Sequence, residues 1–174
     1  MRSVMKKLIL LFMSVFLAQQ SCKKAGLCDD DELRFFRQSN LSNKIRLDGF
    51  FYGDLTGKDS DNPIVNLLYQ NGVSYIGLGS YDLEDIEDNS FELSISDDKR
   101  KAKPGWGGYR VEGDRIEIQN WIFSTGCNPL ITQKGVILND TTIKITSWQK
   151  SSSDKLHNIN AIFRFHKHTA KPDS

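Results

Sequence analysis

The chain has 174 residues, with 23 Lys and Arg against 22 Asp and Glu, a formal net charge of +1 and 39% hydrophobic residues. Charges of both signs are mixed along its length, so no basic stripe is available for nucleic acid. The length suits one domain with a real core, and no internal repeat, low-complexity tract or Pro-rich linker calls for a second.

Arg2, Lys6 and Lys7 open the chain, and an apolar run from Leu8 to Ala18 follows, with Phe12, Phe16 and Leu17 inside it. That run is shorter than the ~20 residues a spanning helix needs, so residues 1–21 read as a secretion signal. Without those three cations the balance is 20 basic against 22 acidic residues, a net charge of about −2. The signal ends Gln19-Gln20-Ser21-Cys22, which resembles the lipobox of bacterial lipoproteins. The resemblance implies cleavage before Cys22 and acylation of its sulfur with a palmitate-type chain. Two or three chains would give stable attachment, at about 0.8 kcal/mol per buried methylene. Lys23, in place of Asp, is similar to lipoproteins sent on to the outer membrane, facing either the periplasm or the outside. The alternative is ordinary cleavage that leaves Cys22 a plain thiol.

Lipidation of Cys22 would leave Cys28 and Cys127 as an even pair, and a secreted domain can form and keep a disulfide. A Cys28–Cys127 bridge would tie the N-terminal segment to the loop after the central hairpin. It would contribute up to roughly 3–5 kcal/mol in the chain-entropy model. Residues 22–44 are then a lipidated tether with a short helix over 30–38 (DDELRFFRQ). Acidic residues sit at the positive end of that helix, and Leu33, Phe36 and Arg37 at one-face spacing.

From residue 45 the period changes to two. Residues 45–54 alternate, with Ile45, Leu47, Gly49 and Phe51 on one side. Residues 64–78 hold a turn signal, Asn71-Gly72, between two apolar runs and read as a hairpin. Residues 80–89 are an acidic loop, 90–96 (SFELSIS) alternate again, and 97–103 are a charged connection. In the central stretch 105–123 (GWGGYRVEGDRIEIQNWIF), a two-residue turn at Gly113-Asp114 sets the register. Glu112 faces Arg115, Val111 faces Ile116, Arg110 faces Glu117 and Tyr109 faces Ile118. A third hairpin over 130–150 turns at Asn139-Asp140, with Val136 facing Ile143, and with Ile143 and Ile145 on one face. Ile159, Ala161, Phe163 and Phe165 form a last alternating strand, and residues 169–174 are a tail.

These elements predict an all-β domain over 45–168, an antiparallel up-and-down barrel of about 8–9 strands. The order of motifs carries a family likeness. Gly49-Phe50-Phe51 opens it, and Asn71-Gly72 and the run from Gly105-Trp106-Gly107 to Ile118 follow. A strand pair and Phe163, Phe165 and Lys167 close it. The succession resembles lipocalin-like domains of small bacterial envelope lipoproteins, although Phe51 stands where classical lipocalins carry Trp. The likeness implies a barrel with an apolar cavity and no catalytic residues.

Nucleophile, phosphate and dinucleotide motifs are absent. The acidic residues 82–88 lack the spacing of a Ca²⁺ loop. His166 and His168 share a face where they could hold a metal, but read more simply as exposed histidines, so no metal or cofactor is expected. Trp121 and Phe123 share a face opposite Ile116, Ile118 and Ile122, so a helix or loop covers them, or a partner or ligand meets them. Trp106, Trp121 and Phe123 are accordingly the candidate binding surface. The expected function is a non-enzymatic, monomeric, lipid-anchored binder of a small apolar ligand. The alternative is an assembly lipoprotein whose solid barrel docks on an envelope protein.

Overall fold

The computed structural model describes residues 31–35, 37–39, 43–56, 63–78, 103–122 and 127–168. Eight strands account for most of them. In order they are β1 (Gly49–Gly53), β2 (Ile64–Leu68), β3 (Val73–Leu78), β4 (Trp106–Glu112), β5 (Arg115–Trp121), β6 (Leu130–Asn139), β7 (Thr142–Lys150) and β8 (Leu156–Lys167). Each is antiparallel to its sequence neighbour, and β1 returns to β8 through Phe51 opposite Phe165, closing an up-and-down barrel. Closure removes the unpaired edges that an open sheet exposes. The expected strand over 90–96 lies outside the described residues, and the barrel closes without it because β3 pairs with β4 directly.

Period-two alternation decides which side chains face inward. Phe51, Tyr109, Ile118, Ile143, Ile145 and Phe163 are all at most 1% exposed and belong to one interior cluster. On the opposite face of β1 and β2, Phe50, Val65, Leu67 and Tyr69 form a second cluster, joined by Tyr52, Tyr75 and Trp106.

The β4–β5 hairpin has the register its sequence predicts, with Glu112 opposite Arg115, Val111 opposite Ile116, Arg110 opposite Glu117 and Tyr109 opposite Ile118. Gly113 has a φ of 61° and Asp114 a negative φ, the signs that a Gly-first primed turn requires. The β2–β3 hairpin uses a longer loop. Tyr69 N–H donates to the Val73 carbonyl and Gly72 N–H to the Tyr69 carbonyl, so three residues, with Gly72 at φ 80°, make the turn.

The β6–β7 register departs from expectation. Val136 lies opposite Lys144, and Ile143 lies opposite Ile137. The turn sits at Asp140-Thr141 because the Asn139 side chain accepts bonds from the Thr141 N–H and hydroxyl, at 3.0 and 2.9 Å. A bulge at Leu138 absorbs the extra residue. Of the helix expected over 30–38, residues 31–35 and 37–38 carry none, and residues 30 and 36 lie outside the described residues. Backbone groups that a helix would use internally bond the barrel instead. The Arg34 N–H donates to Gln119 Oε1 at 2.8 Å, and the Asp31 carbonyl accepts from the Trp121 indole at 2.6 Å.

Candidate binding surface

Residues 31–35 and 37–39 act as a strap across the outer face of β3 to β6. At one end the Asp31 carboxylate accepts from the Leu130 N–H at 3.2 Å and from the Ser151 hydroxyl. Further along, the Arg110 guanidinium lies 5.1 Å from the centre of the Phe35 ring. At the far end the Gln38 backbone passes so close to Gly72 that a Cβ there would sit 2.3 Å from the Gln38 carbonyl oxygen. Gln119 points outward yet is fully buried, because the strap lies over it.

Trp121, a sequence-predicted site residue, is half-buried beneath this strap, with Lys103 Nζ 5.5 Å from its ring centre. Trp106 is half-buried and packs edge-on against Tyr75 at 5.0 Å and stacks with Tyr69 at 6.2 Å. Trp106 follows Gly105, whose N–H donates to the Trp121 carbonyl at 2.6 Å, so the two tryptophans occupy neighbouring strand ends. Phe123, Cys22 and Cys28 lie outside the described residues. Cys127 is disulfide-bonded.

Beside the strap, a groove of about 290 Å³ opens on the outer face of β4, β5 and β6. Arg110, Glu112, Arg115, Glu117 and Lys134 line it. Arg110 donates to Glu117 at 2.9 Å and also pairs with Glu112 at 3.1 Å. The bond to Glu117 holds the guanidinium above its ordinary value despite the opposing effect of burial. Cations and carboxylates largely offset one another here, so the groove selects neither sign of ligand.

The barrel interior holds a polar layer that sequence reasoning missed. Asn66 of β2 and Gln133 of β6 exchange two amide bonds at 3.2 and 3.3 Å. Asn120 of β5 donates to Ser74 of β3 and to the Gly105 carbonyl, both at 3.0 Å. All four side chains are at most 1% exposed. Their places on alternating strands were a signal that they face inward, but only closure shows which of them meet.

The three histidines pack on aromatic rings. His157 stacks flat on Trp148 at 4.0 Å, while His166 and His168 lie 5.2 and 6.5 Å from the Phe50 ring. Among the described residues no group of three His, Cys, Asp or Glu side chains could hold an ion, and no described helix is long and apolar enough to cross a membrane. Comparison with family models, with curated proteins and with solved structures finds no match for this chain.

Proposed function

We propose that the chain is a lipid-anchored bacterial envelope lipoprotein, held through Cys22, whose barrel is a non-catalytic module that docks through its outer surface. The observation that carries this reading is the Asn66–Gln133 pair. β2 and β6 are four strands apart in a barrel of eight, so they stand on opposite walls. Their side chains meet across the lumen at 3.2 Å. An eight-stranded barrel is just wide enough for packed side chains or one small ligand. A ligand crossing that level would have to break the amide pair and leave buried polar groups unmatched. The solid barrel is therefore favoured over the carrier of an apolar molecule, and the lipocalin-like resemblance reduces to the shape of the scaffold.

The strap supports the docking half of the proposal. It occupies the face of Trp121 and leaves Trp106 half-buried beside it, which supports the Trp106 end as the side that meets an envelope partner. The test is the intact mass of the chain from Lys23 onward, measured under non-denaturing conditions. A bare mass is expected; extra mass that disappears on denaturation would favour the carrier. The anchor is tested separately, because Cys22→Ala should move the full chain into the soluble fraction, and unchanged membrane association would remove the anchor from the proposal.

A further inference from the structure

Strands β6, β7 and β8 carry an uneven charge. They contain Lys134, Lys144, Lys150, Arg164 and Lys167 and not one carboxylate. Asp140 and Asp154, the acidic residues nearest to them in sequence, lie outside the strands. Lys134 stands opposite Glu117, which offsets it. Lys144 and Arg164 have no such neighbour: Lys144 is flanked by Val136 and Ile162, and Arg164 by Thr142 and Tyr52. Among the described residues neither cation joins an ion pair.

The same face carries the exposed apolar side chains. Among the described residues the large exposed hydrophobics are Leu138 at 53%, Leu156 at 53% and Ile162 at 41%, and all three lie on β6 or β8. Ile162 projects to the same side as Lys144, its cross-strand partner, and the exposed Leu138 sits at the bulge beside Asn139, whose row continues through Thr142 to Arg164. Aliphatic groups interleaved with unpaired cations suit a surface that is anionic at its polar layer and apolar just beneath it.

We infer that the outer face of β6 to β8 is the surface this barrel turns toward an anionic lipid bilayer. The path of the chain agrees. The strap is fixed at Asp31 by Leu130 and Ser151, at the beginning of β6 and just past the end of β7. Asp31 is the ninth residue after Cys22, which limits the span to about 30 Å. A lipid on Cys22 would therefore hold the Leu156 end of this face, where Gln149 stands opposite Leu156, within reach of the headgroups. That last step rests on the anchor proposed above; the patch itself does not.

The experiment uses the chain from Lys23 onward, which keeps the strap and the whole closed barrel with its own core, and so tests the patch without the lipid. It is sedimented with vesicles of mixed phosphatidylglycerol and phosphatidylcholine, and with vesicles of phosphatidylcholine alone. Binding to the anionic vesicles only, weakened by high salt, is expected. Neutralising both cations with Lys144→Gln and Arg164→Gln should weaken it roughly thirtyfold, since each cation near such a surface contributes about fivefold. Ile162→Asn should weaken it further with the charge unchanged. All three substitutions fall at exposed or half-exposed positions, and circular dichroism checks that the fold survives them. Equal binding to both vesicle types, no binding, or an unchanged K144Q/R164Q variant would each overturn the inference. So would capture of soluble polyglutamate in place of vesicles, which would mark the face as a docking site for an acidic protein. Failure of the anchor shows elsewhere, in the Cys22→Ala fractionation.

Discussion

Asn66 and Gln133, 67 positions apart in sequence, form a reciprocal amide pair inside the barrel, each donating to the other at 3.2 and 3.3 Å. Neither is more than 1% exposed. A reciprocal pair of this kind satisfies one donor and one acceptor on each residue, which is how a polar group becomes tolerable in an apolar interior. It also fixes the distance between opposite walls. Nearby, Asn120 Nδ2 is bonded twice, while its Oδ1 is buried and receives no hydrogen bond from any described residue. The interior thus holds one matched polar pair and one acceptor left over.

The strap is expected to be a measurable part of stability. Asp31→Ala removes the acceptor for the Ser151 hydroxyl and the longer of the two bonds from the Leu130 N–H, which keeps its 2.9 Å bond to Ser151 Oγ, at a cost of about 1–3 kcal/mol by urea denaturation. Trp121→Phe keeps the ring and loses only the indole bond to the Asp31 carbonyl, at a cost of about 1 kcal/mol. Limited proteolysis should then cut near residues 31–39 sooner in both variants than in the parent chain. Unaltered cleavage would mean that these bonds do not hold the strap down.

At the β4–β5 turn, Gly113 has open space around it, with nothing within 4 Å of the position a Cβ would take. Its φ of 61° is the only obstacle to a side chain. Gly113→Ala should therefore cost about 1–2 kcal/mol with no change in the surrounding structure. Gly107→Ala has a different cause of failure, because its Cβ would lie 1.8 Å from the Gln119 carbonyl oxygen. That variant should not reach the folded state. Comparable melting temperatures for the two would contradict this distinction.

Burial against Trp106 pushes the Tyr75 phenol above its ordinary value of 10.0. The sign follows from linkage: the folded protein keeps the proton longer than the unfolded chain does. Stability from this group is complete below pH 10 and is lost as the pH rises through the higher folded value. Denaturation midpoints measured from pH 9 upward should fall, and Tyr75→Phe should flatten that fall. An ultraviolet titration in which all tyrosines ionise together near the ordinary value would count against it.

Much of the barrel was legible in the sequence, because strand period and turn chemistry are local. The pairings of Val111 with Ile116 and Tyr109 with Ile118 follow from one turn, and the inward face of β8 from the spacing of Ala161, Phe163 and Phe165. What was hidden depends on contacts remote in sequence. The helix expected over 30–38 has suitable composition, but the barrel outbids it by offering Gln119 and Trp121 as partners. Asn139 carries the hairpin signal, yet its side chain bonds forward to Thr141 and moves the turn by one residue. The Asn66–Gln133 pair could not be read at all, since which residues oppose one another across a lumen depends on closure and stagger. At the candidate surface, the choice between a cover and a partner for Trp121 was visible in its alternation. The strap that covers it was not.

The most direct measurement is a double-mutant cycle across the lumen, with Asn66→Leu, Gln133→Leu and the pair together, read by urea denaturation. Each single variant leaves a buried amide without its partner and should lose about 1–3 kcal/mol. The double variant should lose less than the sum, with a coupling of about 1 kcal/mol or more, within the range found for residues in direct contact. That result is expected of a barrel whose walls are tied together through a filled interior. Simple additivity would mean that the two side chains do not meet, and would reopen the lumen to a ligand.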